Sequence, residues 1–379
     1  MKVLVIGDIV IDKYIIGTST RLSPEAPVPV VSQRDSWEQL GGAALVHANL
    51  VSLGVDAELL DLSYPKCIKT RVLCDGHYVT RIDQDYHTDS DKVLDIIQAK
   101  DFSQYDIVIL SDYAKGVLHH SQEIINHINK YNCKIIVDPK DHYSFYQGAW
   151  LVKPNKKEFE EFGFANWTKN IIITAASDLI VADLGGKHYS VRPDPVEVND
   201  VTGAGDCFLA TFVYALSIGK DYEASLKLAV KGATESVKHV GTYTIKVEDL
   251  QERIIFTNGV FDILHKGHLT LLNEARALGE KLVVGINSDA STKRLKGENR
   301  PINPQHVRKE QLEMLSWVDE VIVFDEDTPY ELIKKLNPDI IVKGGDYTVE
   351  TVVGHDLAPV KIIPTVEGFS TTKIIEQTK

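Results

Sequence analysis

The chain has 379 residues and a formal net charge of −13, a length that exceeds one ordinary core and implies two domains. The acidic balance excludes a surface built to track nucleic acid or anionic lipid, which needs a basic excess. Four cysteines, Cys67, Cys74, Cys133 and Cys207, show no C-x-x-C spacing, so reduced thiols in a cytoplasmic protein are expected.

The first predicted element, Val3 to Ile6, is a buried strand. Asp8 and Asp12 interrupt the apolar run before it could act as a secretory leader, and no stretch approaches the roughly 20 apolar residues of a membrane span. Further β-branched runs follow at Ile107 to Leu110, Ile135 to Val137 and Ile171 to Thr174. Helices are predicted at Cys207 to Ser217 and Tyr222 to His239, and strands resume at Ile254 to Thr257, Leu282 to Ile286, Val321 to Phe324 and Ile340 to Val342. Strands alternating with helices imply parallel sheets covered on both faces, whose ligands bind at the carboxyl ends of the strands. The pattern restarts after Gly241, which sets domains of 1–247 and 248–379, joined by a short charged segment with no flexible linker.

In the first domain, Thr202-Gly203-Ala204-Gly205-Asp206 precedes an apolar helix. Backbone N–H groups at Gly203, Ala204 and Gly205 and the positive helix end suit a phosphate, and Asp206 stands where it can take a proton from an attacking hydroxyl. Phosphoryl transfer needs mainly alignment and charge neutralisation. A glycine turn capped by Asp206 is the plainer alternative.

Together with the Asp8/Asp12 pair and Gly41-Gly42-Ala43-Ala44, this motif resembles the ribokinase-type sugar kinases. The resemblance implies an α/β sandwich in which Asp8, Asp12, Gly41 and Gly42 hold sugar hydroxyls. Pro154-Asn155-Lys156-Lys157-Glu158 is similar to the element with which that family positions Mg²⁺ indirectly, through Asn155 and Glu158, near the phosphates of ATP. A solvated helix start is the alternative for these two residues. The strings Arg21 to Val30, Ser111-Asp112-Tyr113-Ala114-Lys115-Gly116 and Asp138-Pro139-Lys140 resemble the bifunctional heptose 7-phosphate kinase/heptose 1-phosphate adenylyltransferases. Arg21, Lys115 and Lys140 would then supply cations for the phosphate already on the substrate. Against this family the half is short: a helix-strand unit is missing between Leu60 and Lys69, and Gly163 to Asn170 is abbreviated. Leu45 replaces an expected Asn, and Thr174 to Asp178 lacks the glycine that lets backbone approach ATP. Chemistry with weakened ATP binding is the expectation.

In the second domain, Asn258-Gly259-Val260-Phe261-Asp262-Ile263-Leu264-His265-Lys266-Gly267-His268 ends a strand in a glycine turn and opens a helix at paired histidines. Residues three apart share a helix face, so two imidazoles can meet a triphosphate as pyrophosphate leaves. Zinc is the rival for His-x-x-His, but helical zinc pairs use i, i+4 and no third ligand cluster is evident, so no zinc site is expected. The half resembles the His-x-Gly-His nucleotidyltransferases, with a Rossmann-like parallel sheet. The resemblance assigns nucleotide contacts to Asn258, Gly259, Phe261, Lys293, Lys296, Arg308, Lys343, Gly344, Ser370 and Thr371.

The combined expectation is a two-domain cytoplasmic enzyme using ATP and Mg²⁺. By resemblance it phosphorylates D-glycero-β-D-manno-heptose 7-phosphate at O1 and joins heptose 1-phosphate to AMP. Its partners are sugar phosphates and ATP, with no nucleic acid or membrane, and a homodimer is the expected assembly. Two rivals stand: a transferase whose first domain only binds sugar phosphate or dimerises, and a cytidylyltransferase acting on a polyol phosphate.

Overall fold

The computed structural model describes residues 1–140, 146–162, 168–175, 178–345 and 347–364. The chain divides into two compact units, Met1–Leu250 and one that begins at Gln251. In chain order the first runs β1 (Lys2–Gly7), β2 (Ile9–Thr18), β3 (Ser32–Gly42), α1 (Ala43–Ser52), β4 (Asp56–Leu60), β5 (Cys67–Cys74) and β6 (His77–Gln84). It continues with α2 (Ser90–Gln98), β7 (Ile107–Ser111), α3 (Ser121–Ile128), β8 (Lys134–Asp138), β9 (Leu151–Val152) and α4 (Lys156–Phe162). Then come β10 (Ile171–Ile173), β11 (Ile180–Leu184), β12 (Lys187–Val191), α5 (Ala204–Ser217) and α6 (Tyr222–Ser236).

An eight-stranded sheet of order β12-β11-β10-β9-β8-β7-β1-β4 forms the body of this unit. Its central strands are parallel, whereas β11 and β12 are antiparallel additions at one edge. Alternate side chains of each strand face opposite ways. Val3, Val5, Ile107, Ile109 and Ile136 pack under α1, α5 and α6 with Leu50, Phe208 and Leu226. Leu4, Ile6, Val108, Leu110, Ile135 and Val137 pack under α2 and α3 with Ile97, Ile124 and Ile128. Each fully buried aliphatic chain contributes roughly 1.5–3 kcal/mol, so both layers are held by apolar burial.

A second sheet, β3-β2-β5-β6, mixes antiparallel and parallel pairs. It is absent from the sequence-based expectation because its outer strands are polar: β3 reads SQRDSWEQLGG and every residue of β6 is exposed. β4 and β5 are joined directly by the short segment between Leu60 and Cys67, where the helix-strand unit was expected to be missing.

The second unit contains β13 (Ile254–Gly259), α7 (Lys266–Arg276), β14 (Lys281–Asn287), α8 (Asp289–Lys296), α9 (Gln305–Glu313) and β15 (Glu320–Phe324). It ends, among the described residues, with α10 (Tyr330–Leu336), β16 (Ile340–Gly344) and β17 (Val360–Ile363). The five strands are all parallel in the order β15-β14-β13-β16-β17. Ile255, Leu282, Val284 and Ile286 face α7 and α9, while Phe256, Val283 and Ile341 face α10. No described helix is long and apolar enough to cross a membrane.

Candidate active sites

In the first unit, the carboxyl ends of β1, β7, β8 and β9 deliver Asp8, Ser111 to Lys115, Asp138 to Lys140 and Lys153 to Asn155 to one edge of the sheet. Asp206 lies in the first turn of α5 and is 3% exposed. Both of its carboxylate oxygens accept from the Tyr113 hydroxyl, at 2.8 and 2.9 Å. Burial raises its pKa to about 7; the nearby Asp138 charge adds to this, while Tyr113 and Lys153 oppose it. A carboxyl poised there matches what a general base near neutral pH requires. Burial also holds the Tyr113 phenol well above its ordinary range, so it remains a donor.

Gly203 caps α5 with φ +77°, and a Cβ there would overlap the side chain of Leu45. Leu45, 2% exposed, therefore supports the glycine loop from below, and it lines neither of the two cavities beside Tyr113. Tyr113 borders two cavities. The smaller includes Asp12, Gly42, Lys69, Arg71, Gly203 and Asp206 in its lining. The larger, about 740 Å³, includes Lys140, Lys153, Asn155, Glu158, Ala204 and Gly205, and is of a size that takes a nucleotide.

Several of the expected site residues have protein partners of their own. Asp8 is fully buried, and its carboxylate accepts from the backbone N–H groups of Tyr113, Lys115 and Val117 at 2.9, 3.0 and 3.0 Å. It clamps the loop after β7 and is not among the residues lining the smaller cavity. Asp12 does line that cavity and pairs with Arg71, its other oxygen lying against Gly41. Gly42, with φ +63°, turns the chain so that Ala43 N donates to Asp8 O at 3.0 Å.

The three cations expected at the substrate's phosphate do not converge. Arg21 is exposed and lines neither cavity, Lys115 pairs with Asp85 at 2.8 Å, and Lys140 borders the larger cavity, 2.9 Å from Glu158. Asn155 and Glu158 cap α4 reciprocally: Asn155 N donates to Glu158 Oε2 and Glu158 N to Asn155 Oδ1, both at 2.9 Å. With one Glu158 oxygen on this amide and the other on Lys140, the pair suits a contact to a metal through water better than direct ligation. Among the described residues no cluster of three His, Cys, Asp or Glu forms a metal site.

Lys69, Arg71, Asp138 and Lys153 were not singled out by sequence as site residues with roles. Lys69 and Arg71 sit on β5 at alternate positions, so they share a face. That period-two pair of cations was the available signal. Lys153, 3% exposed, pairs with Asp138 at 3.0 Å.

In the second unit, His265 is the N-cap of α7 and His268 lies in its first turn. The rings stack, with centroids 3.8 Å apart and planes 19° apart, and Phe261 packs on His268 at 5.0 Å. Burial, reinforced by His265, lowers the His268 pKa to about 4, and burial lowers that of His265 too. Both imidazoles are therefore neutral at pH 7. Among the described residues, Thr257 Oγ1, Asn258 Oδ1 and the Nδ1 atoms of both histidines are buried without a partner, the condition of a site whose polar groups are completed by a ligand. Gly259 leaves room for the Phe261 ring, 3.1 Å from where a Cβ would stand.

Lys343 donates to Asn258 O at 2.8 Å, and burial lowers its pKa to about 8. Gly344 ends β16 beside it. Lys293 and Lys296 are exposed on α8. Arg308, expected to face the nucleotide, is fully buried and donates to Val260 O, Asn303 O and Asp289 at 2.7, 3.0 and 2.8 Å. Its guanidinium braces the motif loop from below. Asp262 ties the same loop to Arg300, Ile302 and Asn303. Ser370 and Thr371 lie outside the described residues.

Comparison with known proteins follows the same division. A model described as pfkB family carbohydrate kinase matches residues 78–249, and one described as cytidylyltransferase-like matches residues 256–377. The bifunctional protein HldE of Nitratiruptor sp. is 36% identical, covering 99% of this chain and 98% of its own. That of Helicobacter pylori is 37% identical, over 100% and 98%. The Nitratiruptor alignment spans 459 positions against 379 residues here, so at least 80 of its positions lack a counterpart in this chain. A Methanocaldococcus jannaschii nucleoside kinase of the ribokinase family shares the fold of the first unit at TM-score 0.52 and 18% identity, covering 66% of this chain and 97% of its own. Escherichia coli phosphofructokinase-2 does so at 0.51 and 16%, over 66% and 96%.

Proposed function

Because the chain belongs to the HldE family of bifunctional heptose 7-phosphate kinases/heptose 1-phosphate adenylyltransferases, we propose that each unit carries one of the two reactions. The 1–247 domain phosphorylates D-glycero-β-D-manno-heptose 7-phosphate at O1. The 248–379 domain joins heptose 1-phosphate to AMP from ATP, giving ADP-heptose and pyrophosphate. The observation that carries the kinase assignment is Asp206, buried at the mouth of α5 among the residues lining the smaller cavity, with a pKa near 7.

In the kinase step the sugar occupies the smaller cavity and ATP the larger. The O1 hydroxyl replaces Tyr113 at the Asp206 carboxylate and gives up its proton there. O1 bonds to the γ-phosphorus as the bond from that phosphorus to the bridging oxygen breaks and ADP leaves, while the N–H groups of Gly203 to Gly205 donate to the phosphoryl oxygens. Mg²⁺, when bound with ATP, neutralises phosphate charge, and Asn155 and Glu158 would hold it through water.

In the transfer step the sugar phosphate attacks the α-phosphorus in line. Neutral His265 and His268 donate N–H to the phosphates as charge moves toward pyrophosphate, and Lys343 supplies a cation beside Asn258. Lys293, Lys296, Ser370 and Thr371 complete the nucleotide site in this reading. A cytoplasmic setting fits the free thiols, and a homodimer is the proposed assembly.

The short segment joining Leu60 to Cys67, where a helix-strand unit was expected of the family, favours a second reading, in which the first unit binds sugar phosphate without turnover. ³¹P NMR of the full chain with heptose 7-phosphate, heptose 1-phosphate, ATP and CTP distinguishes them. A 1,7-bisphosphate signal from the first sugar, and pyrophosphate with ATP faster than with CTP from the second, are expected. No bisphosphate would leave the binding reading, and faster CTP turnover would overturn the adenylyl assignment.

A further inference from the structure

The sugar-side cavity contains a cation that the expected contacts leave unused. On β5, Lys69 and Arg71 are two residues apart and project from the same face of the sheet. The neighbouring strand β2 places Asp12 directly beside Lys69 in register. Arg71 nevertheless takes the Asp12 carboxylate and lies over the Tyr14 ring at 5.4 Å. That pair neutralises itself. Lys69 has no ion pair or hydrogen bond among the described residues; its Nζ stands 5.5 Å from the centre of the Tyr113 ring. Burial lowers its pKa, and the neighbouring cations Lys115 and Arg71 push the same way against Asp12 and Asp83. An incompletely compensated, half-buried ammonium of this kind is stabilised by an arriving anion.

Tyr113 fixes where that anion lies relative to the chemistry. Its hydroxyl is on the Asp206 carboxylate, while its ring faces Lys69. Asp206 and Lys69 line the same cavity. A ligand that presents a hydroxyl to Asp206 therefore has another part of its length near Lys69. Resting on the kinase reading above, we propose that Lys69 recognises the terminal phosphate of the sugar substrate and so makes the enzyme select a phosphorylated over an unphosphorylated heptose. Lys115, whose charge also acts on Lys69, begins already paired with the exposed Asp85. Lys140 is on the nucleotide side, beside Glu158.

The test is initial-rate ADP formation by the full chain with heptose 7-phosphate and with the same heptose lacking phosphate, in the parent, Lys69→Met, Lys69→Arg and Asp206→Asn. Lys69→Met is expected to raise KM for heptose 7-phosphate by roughly 10- to 100-fold, the scale of one lost charge-assisted hydrogen bond. The preference for the phosphorylated sugar should fall by the same factor, with kcat for heptose 7-phosphate within a few-fold of the parent. Lys69→Arg should recover much of the preference. An equal loss of kcat/KM for both sugars would assign Lys69 a structural role and overturn the proposal, as would an unchanged preference. A parent no faster than Asp206→Asn with either sugar would instead remove the kinase reading, and this assignment with it.

Discussion

At the scale of single residues, the two sites differ in what protonation they demand. Asp206 accepts a proton only when ionised, and its pKa of about 7 places that change within the working range. Kinase kcat/KM is therefore expected to be level above neutrality and to fall about tenfold per pH unit below about pH 7. Tyr113→Phe removes a hydrogen bond that lowers this pKa, so the acidic limb should move upward; a limb that stays in place would separate Tyr113 from the base. His268, with its pKa lowered to about 4, is neutral throughout pH 5–8. Adenylyl transfer should show no imidazole limb near pH 6.5, and a limb there would mean that the cationic form acts. His265→Ala or His268→Ala should each lower transfer turnover by on the order of 10²–10³, the scale of one lost transition-state donor. Turnover measured beside a circular dichroism spectrum checks this, and a variant of parental rate would dismiss the contact.

At the scale of elements, the buried strands were legible because β1, β7 and β8 alternate apolar side chains between two layers, which no loop needs to do. β3 and β6 were not, since a sheet with exposed outer strands has no apolar periodicity to read. The same gap hid Lys69 and Arg71, whose meaning depends on β5 being a strand. Asp8 was expected at the sugar and Arg308 at the nucleotide; the protein partners they have are backbone groups and, for Arg308, also Asp289, brought near by tertiary folding, which spacing alone does not reveal. The turn into α5 was legible as a glycine motif, and its geometry now explains why glycine is needed. Gly203→Ala would strain φ +77° and drive a methyl group into Leu45. Loss of kinase turnover with transferase turnover kept is expected; a parental kinase rate would show that the loop tolerates the change.

At the scale of the whole molecule, the division at Leu250 leaves two sheets in the first unit and one in the second, each unit with apolar core of its own. The chain is shorter than its HldE relatives, yet Asp206 and Gly203 to Gly205 remain assembled at α5. A high KM for ATP with measurable kinase turnover is the expected result of an ATP titration, and a KM unaffected by the missing positions would count against weakened binding. The most direct measurement of the two-site account uses the full chain carrying Asp206→Asn. Heptose 7-phosphate consumption should disappear, while pyrophosphate release from ATP and heptose 1-phosphate stays within a few-fold of the parent. Loss of both activities together, or of neither, would contradict the account.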